Sequence, residues 1–257
     1  MEEALSHLYS SLLQRAGVRH VFPTRHGGVS EGAYASLNLG GSVGDDPARV
    51  EENMQRAARL VEAPRASLYS VWQMHGREVV QVSVDDTRED ITKKNADALI
   101  TNVPGFGVGV RTADCTPILL FDPRSKAVAA IHAGWRGTVL DIAGATIEAM
   151  RRAYQTEAAE LLAAIGPCIG PCCFEVGPEV VAAFAAKLPA GSWRGPGRSN
   201  GKPTIDLYAA NEALLRGAGV TQIDTLRVCT MCDPAQRFFS FRRDGEKSGR
   251  HLSIIKS

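Results

Sequence analysis

No stretch of this sequence approaches the roughly 20 consecutive apolar residues that a membrane-spanning helix needs. The most apolar segments, such as residues 127–131, are far shorter. An excess of one charge is missing too. Twenty-nine Lys and Arg stand against 28 Asp and Glu, a net charge of +1. Such a balance offers no field to attract nucleic acid or an anionic membrane, so neither is expected as a partner. An anionic substrate would have to be held by local arginines. The start, MEEALSHLYSSLLQ, lacks the basic residues and apolar core of a signal peptide. A cytoplasmic protein with reduced thiols is therefore expected. Internal repeats, blocks of like charge and low-complexity tracts are also absent.

What is present is an ordinary globular composition, 44% hydrophobic and 22% charged over 257 residues. That length buries a core without disulfide help. An acidic cap and proline at Asp45–Asp46–Pro47 predict a helix to about Glu62. Apolar runs separated mostly by Gly, Pro and Asp predict strands over residues 68–72, 79–84, 98–101, 107–111, 118–121 and 128–132. Helical spacing of Leu140, Ala143, Ile147 and Met150 predicts a helix over 138–154. Further on, strands are expected at 161–165, 223–228, 238–241 and 252–255, and helices at 179–187 and 206–217. Between them, the Gly/Pro/Ser/Arg-rich residues 188–203 read as an exposed excursion. The pattern is α/β: a single domain over residues 1–257 with a mixed β-sheet core covered by helices.

Three segments place a reactive residue at the end of an apolar strand beside Gly or Pro. They are Gln73-Met-His75-Gly76, Ala113-Asp-Cys115-Thr-Pro117 and Ile131-His132-Ala-Gly134-Trp135-Arg136-Gly137. Loops at strand ends are where a rigid scaffold presents chemistry. Two imidazoles and a thiolate form a borderline-soft set suited to zinc with an open fourth position. The separations of 40 and 17 residues match no local metal-binding spacing. The same Cys115 and His132 equally suit a metal-free nucleophile and general base. Residue chemistry alone leaves both readings open.

The other cysteines, Cys168, Cys172, Cys173, Cys229 and Cys232, form a CxxxC with a vicinal partner and a CxxC. Four of them could make a structural zinc site, but no known ligand spacing results, and buried or substrate-lining thiols are the expectation. Arg25, Arg111, Arg136, Arg242, Arg243 and Arg250 lie beside Gly or at strand ends, where guanidinium groups suit phosphate or carboxylate. Asn38 sits in an ordered-looking loop, as a backbone cap or a ligand contact. His7, His20 and His251 are expected to be structural or surface residues.

Taken together, TRHGGVSEGAYASLNLG, VGDDP with Val50 to Asn53, WQMHG, ADALIT, RTADCTP, HAGWRGT, IGPCIGPCCFEVG and FFSFRRDGEKSGR resemble the laccase-domain family. Its members are also called YfiH-like proteins, multicopper polyphenol oxidases or purine nucleoside phosphorylases. The resemblance runs from about Phe22 to the C-terminus. It implies a metal site at His75, Cys115 and His132, which would also be the catalytic residues. The implied activity is phosphorolysis of adenosine, inosine, guanosine or S-methyl-5′-thioadenosine to base and ribose 1-phosphate, with adenosine deamination as an accessory. Arg25, Asn38, Arg136 and Arg242 are the candidate substrate contacts, and a purine nucleoside and phosphate the partners. Zinc is the expected metal and copper the alternative. Six histidines are too few for the several His-rich copper sites of a four-electron oxidase. A Cys-dependent amidase acting on cell-wall precursors is the remaining alternative. Oligomeric state is not legible.

Overall fold

The computed structural model describes residues 7–197 and 201–257. The chain opens with β1 (His7–Leu8), α1 (Ser11–Arg15), β2 (His20–Pro23) and α2 (Pro47–Leu60). Then come β3 (Leu68–Tyr69), β4 (Val79–Gln81), α3 (Arg88–Thr92), β5 (Ala98–Thr101), β6 (Gly107–Thr112), β7 (Thr116–Phe121) and β8 (Val128–Ala133). After these lie α4 (Trp135–Val139), α5 (Ile142–Tyr154), β9 (Leu162–Ile165), α6 (Pro178–Lys187) and α7 (Leu207–Gly217). The last elements are β10 (Gln222–Thr225), α8 (Phe241–Asp244) and β11 (His251–Lys256).

Strands fall into two mixed sheets rather than one, in the orders β1-β2-β11-β6-β3 and β10-β9-β7-β8-β5-β4. The two-residue period of a strand explains how they stack. Leu119 and Phe121 of β7 join Val108, Val110 and Ile255 of the other sheet in one core. Their neighbours Ile118 and Leu120 point the opposite way, into a core shared with Ile147 of α5, Phe184 of α6 and Leu207 of α7. A third cluster packs Met54 and Ala57 of α2 against Val21, Leu252 and Ile254. The order of layers is therefore helix, sheet, sheet, helices. Strands buried on both faces read as continuous apolar runs, as TPILLF and VAAIHA do.

Several elements differ from the sequence-based expectation. Asp46 caps α2 through Ala48 and Pro47 opens it, as the acidic cap predicted. The helix expected over 138–154 is two helices, because Asp141 takes a left-handed backbone (φ 57°) and caps α5 through Gly144. Residues 238–241 form no strand. Phe238 and Phe239 are apolar because they are buried, and Ser240 then caps α8. Strands expected at 68–72, 79–84 and 223–228 are shorter, since the chain turns away from each sheet. The segments β1, α1, β2 and α3 were not anticipated. The excursion at 188–203 is not uniformly exposed: Trp193 is buried beside Phe184, with ring centroids 5.7 Å apart, and Arg194 pairs with Ile205. Residues 198–200 of that expectation, and residues 1–6 of the N-terminal one, lie outside the described residues. Among the described residues no helix is long and apolar enough to cross a membrane.

Candidate metal centre and cavity

Strand register gathers residues that the sequence keeps apart. Ala98 of β5 faces Ile131 of β8 in an antiparallel pair, so one step outward Asp97 meets His132, whose N–H donates to the Asp97 carbonyl at 2.7 Å. Thr116 at the start of β7 faces Ala133 at the end of β8, which brings Cys115 to the same edge. Val79 of β4 runs parallel to Ala98, so the loop before β4, carrying His75, also ends there. All three candidate ligands thus converge at one end of the six-stranded sheet. Their donor atoms lie within 4.8 Å of one another. Cys115 Sγ is 3.9 Å from His75 Nε2, and the two imidazoles meet edge to face at 4.8 Å between centroids.

Asp97 organises this cluster, and its role was not recognised from the sequence. Its buried carboxylate accepts the backbone N–H groups of Met74 (3.2 Å), His75 (2.9 Å) and Gly76 (2.6 Å). It also accepts His132 Nδ1–H at 2.8 Å. That bond leaves Nε2 of His132 as the nitrogen available to a ligand. The triple clamp holds His75 in a left-handed conformation, φ 59°. The only sequence signal was an acid heading an apolar strand, in ADALIT. Burial opposes its ionisation, but the bonds from His132, Gly76 and His75 hold the carboxyl below the usual range.

The donor atoms of Cys115 and His132 lie within 4.8 Å of each other, and each shifts the other's titration. Burial would raise the thiol, yet the neighbouring His132 and His75 imidazoles bring it down to about 6. Burial would lower the His132 imidazole, and the Cys115 thiolate with Asp97 instead pushes it up to about 9. Gly134 lets the ligands approach the backbone closely: a Cβ there would stand 3.0 Å from His75 Cδ2 and 3.1 Å from Cys115 Sγ, so both side chains would have to shift by a few tenths of an ångström. Asp114, beside the thiol, accepts from Thr230 Oγ (2.6 Å), Ser240 Oγ (3.0 Å) and the Arg242 backbone N–H (2.6 Å).

These residues floor a cavity of about 670 Å³, within the size range of small-molecule sites. Its walls combine Trp72, Ile169, Phe174 and Phe241 with Arg111, Arg242 and Arg250. Trp72 and Phe241 are about half exposed, so aromatic faces remain for a flat ligand. Among the described residues, none of the three arginines makes an ion pair with a carboxylate. Arg111 Nε donates to the Leu39 carbonyl, Arg242 Nη1 to that of Glu175, and Arg250 Nη1 to those of Ser248 and Gly249. Desolvation, with Arg65 nearby, lowers Arg111 to about 10, and burial lowers Arg250 as well.

Of the four expected substrate contacts, only Arg242 reaches this cavity. Asn38 is fully buried and caps its own loop, bonding Gly40, Asp45 and the Arg250 N–H. Arg25 is turned the other way, donating to the Ala35 carbonyl and stacking on Phe239 beside a separate shallow pocket. Arg136 is exposed over the Trp135 ring, because it lies on the first turn of α4. The other arginines that line it are Arg111 and Arg250. None of the five remaining cysteines lines the cavity, and Cys172 and Cys232 are exposed rather than buried. His20 and His251 are buried structural residues, accepting the Ser10 and Phe239 N–H groups.

A family model described as multi-copper polyphenol oxidoreductase laccase matches residues 19–257. A protein of Bacteroides thetaiotaomicron named purine nucleoside phosphorylase is 38% identical, over 96% of this chain and 94% of its own length. One from an unknown prokaryotic organism, named adenosine deaminase, is 39% identical over 91% of this chain and 92% of its own. The crystal structure of YlmD from Geobacillus stearothermophilus has a TM-score of 0.86 at 36% identity, covering 94% of this chain and 92% of that one. The chain belongs to the laccase-domain family of YfiH-like proteins, whose matched residues include every strand of the six-stranded sheet and the whole His75–Cys115–His132 cluster.

Proposed function

We propose that the protein is a zinc-dependent purine nucleoside phosphorylase, converting adenosine, inosine, guanosine or S-methyl-5′-thioadenosine and phosphate into base and ribose 1-phosphate. One observation carries the reading: a three-donor cluster floors a cavity that offers aromatic faces and guanidinium groups with no carboxylate ion pair among the described residues. Relatives of nearly the same length are named for this activity, and one is named for adenosine deamination.

The donor set fits zinc. Two imidazoles and a thiolate with a cavity on the fourth side form an open site, and the Asp97–His132 bond is the outer-shell contact such ligands use. The metal would supply Lewis acidity to an oxygen or nitrogen of a bound reactant. In this reading Arg111, Arg242 and Arg250 hold the phosphate and offset its charge as it approaches C1′ of the ribose. A phosphate oxygen forms the new bond to C1′ as the glycosidic bond breaks, and its electron pair passes to the purine. Trp72, Phe174 and Phe241 shelter the base, and closing around it limits water as a competing nucleophile. Deamination of adenosine at the same centre is the accessory activity.

The test is incubation with adenosine, with and without phosphate, alongside metal analysis. Adenine and ribose 1-phosphate should form only with phosphate, and inosine should report deamination. Cys115→Ala should lose the cavity metal and more than about a hundredfold in activity, exceeding the usual loss from an outer-shell change. Base release that needs no phosphate and survives chelation would instead assign a Cys115–His132 hydrolase. Catechol oxidation by the copper-loaded protein, without phosphorolysis, would assign an oxidase.

A further inference from the structure

A second cluster of donors lies outside the cavity. The Sγ atoms of Cys172, Cys173, Cys229 and Cys232 all lie within 4.8 Å of one another, with Cys172 and Cys232 3.5 Å apart. Zinc–thiolate bonds of about 2.3 Å place the sulfurs of a tetrahedral site roughly 3.8 Å apart, whereas a disulfide needs about 2.05 Å. We propose that these four cysteines form a second metal site, a closed zinc tetrathiolate that pins one wall of the cavity.

The backbone is arranged as a thiolate site requires. Cys229 Sγ accepts the Gly170 N–H at 3.2 Å, and against its burial the backbone N–H groups of Met231 and Cys232 nearby help hold its thiol below the ordinary value. These donors offset sulfur charge without competing for the metal. Arg243, paired with Asp244, ties the same turn down, its Nη1 donating to the carbonyls of Thr230 (3.5 Å) and Met231 (3.4 Å). Gly170 leaves room for the sulfurs; a Cβ there would be 3.2 Å from Cys172 Sγ and 3.1 Å from Cys229 Cβ. Two loops remote in sequence meet here, joined by a bridge between Cys168 and Cys229 and by the Thr230 N–H to the Cys168 carbonyl.

Pinning follows from the neighbours of the four donors. Thr230, inside the CxxC turn, gives its hydroxyl to Asp114, next to Cys115. Ile169 donates its N–H to the Asp114 carbonyl, and Phe174 donates its own to Gly170. Both Ile169 and Phe174 line the cavity. A metal joining residues 172–173 to 229–232 therefore fixes the wall formed by residues 169–174. A closed four-thiolate site with no open position is structural, not catalytic.

The experiment uses the full chain, purified under reducing conditions, with two readouts. Elemental analysis should give two zinc per chain, one in Cys115→Ala, and one in the double variant Cys172→Ser/Cys232→Ser, whose altered side chains are exposed. Cobalt(II) titration of the metal-stripped protein should give the charge-transfer and d–d absorption of a tetrathiolate, kept in Cys115→Ala and lost in the double variant. Loss of that site should lower the melting temperature while circular dichroism at low temperature is retained. A single zinc in the wild type, located at the cavity, overturns the proposal. So does a Cys172–Cys232 disulfide found by non-reducing mass spectrometry in the zinc-supplemented protein. Neither result touches the reading of the cavity centre, which rests on different residues.

Discussion

The two donor clusters differ in how many donors the protein brings to each and in what holds them. At the cavity, three donors stand on the edge of a rigid sheet and leave one side facing 670 Å³ of space. Near the surface, four thiols on two loops face one another, enough donors to complete a tetrahedral ion, with Cys172 and Cys232 exposed. The first is clamped by the buried carboxylate of Asp97, already hydrogen-bonded to His132 and to the backbone of His75. The second relies on backbone N–H groups and on the ion it gathers. Preorganisation by sheet register suits chemistry on a bound reactant, whereas a site built from loops gains its rigidity from the metal itself.

The sharpest way to break this contrast is Asp97→Asn. The amide cannot accept the three N–H groups and His132 Nδ1–H as a carboxylate does. Metal affinity or activity at the cavity should fall about 10–100-fold. The tetrathiolate cobalt absorption should be unchanged; a matching fall there would show that the clusters are not independent.

Next in size, Arg111→Gln should raise the KM for phosphate about tenfold, the loss of one charge-assisted contact. The KM for adenosine should move far less. Arg242→Gln should act in the same direction, and Arg136→Gln, off the cavity wall, should change neither constant by more than about twofold. Steady-state kinetics with each reactant varied decides this. Equal effects at Arg136 and Arg111 would remove the anion-site assignment.

The smallest effect on activity concerns a residue in neither cluster. His251 is buried, accepts the Phe239 N–H and is lowered from 6.5 to about 3 by desolvation. Its pKa is depressed in the folded state, so the unfolded chain binds the extra proton between these values. Its contribution to stability is full above about 6.5 and is lost as pH falls towards 3, by up to about 1.4 kcal/mol per unit. His251→Gln should flatten the fall of melting temperature across that window. An unaltered slope would assign acid sensitivity to other groups, of which His20 has the same sign.

How much was legible depended on whether the signal was local. The cap at Asp46–Pro47 and the apolar runs of β5, β7 and β8 were readable because a few neighbouring residues decide them. The FFSF run misled because aromatic residues filling a core and residues pairing in a strand have the same composition. Trp193 went unnoticed because its burial depends on Phe184, in another element. Asn38, Arg25 and Arg136 had the right chemistry, but only packing directs a side chain, and it directs these elsewhere.

By itself, the sequence determined the chemical inventory: a thiol, two imidazoles, a supply of arginines and an α/β alternation, together with motifs that name the family. Tertiary structure alone decided which members of that inventory meet. Antiparallel register places Asp97 opposite His132 and brings Cys115 to the same edge. Packing selects Arg111, Arg242 and Arg250 over other arginines. Two loops about 60 residues apart bring four sulfurs together. The reason is physical. Propensity and periodicity are properties of neighbouring residues, while register and loop contact depend on how the whole chain buries its apolar faces.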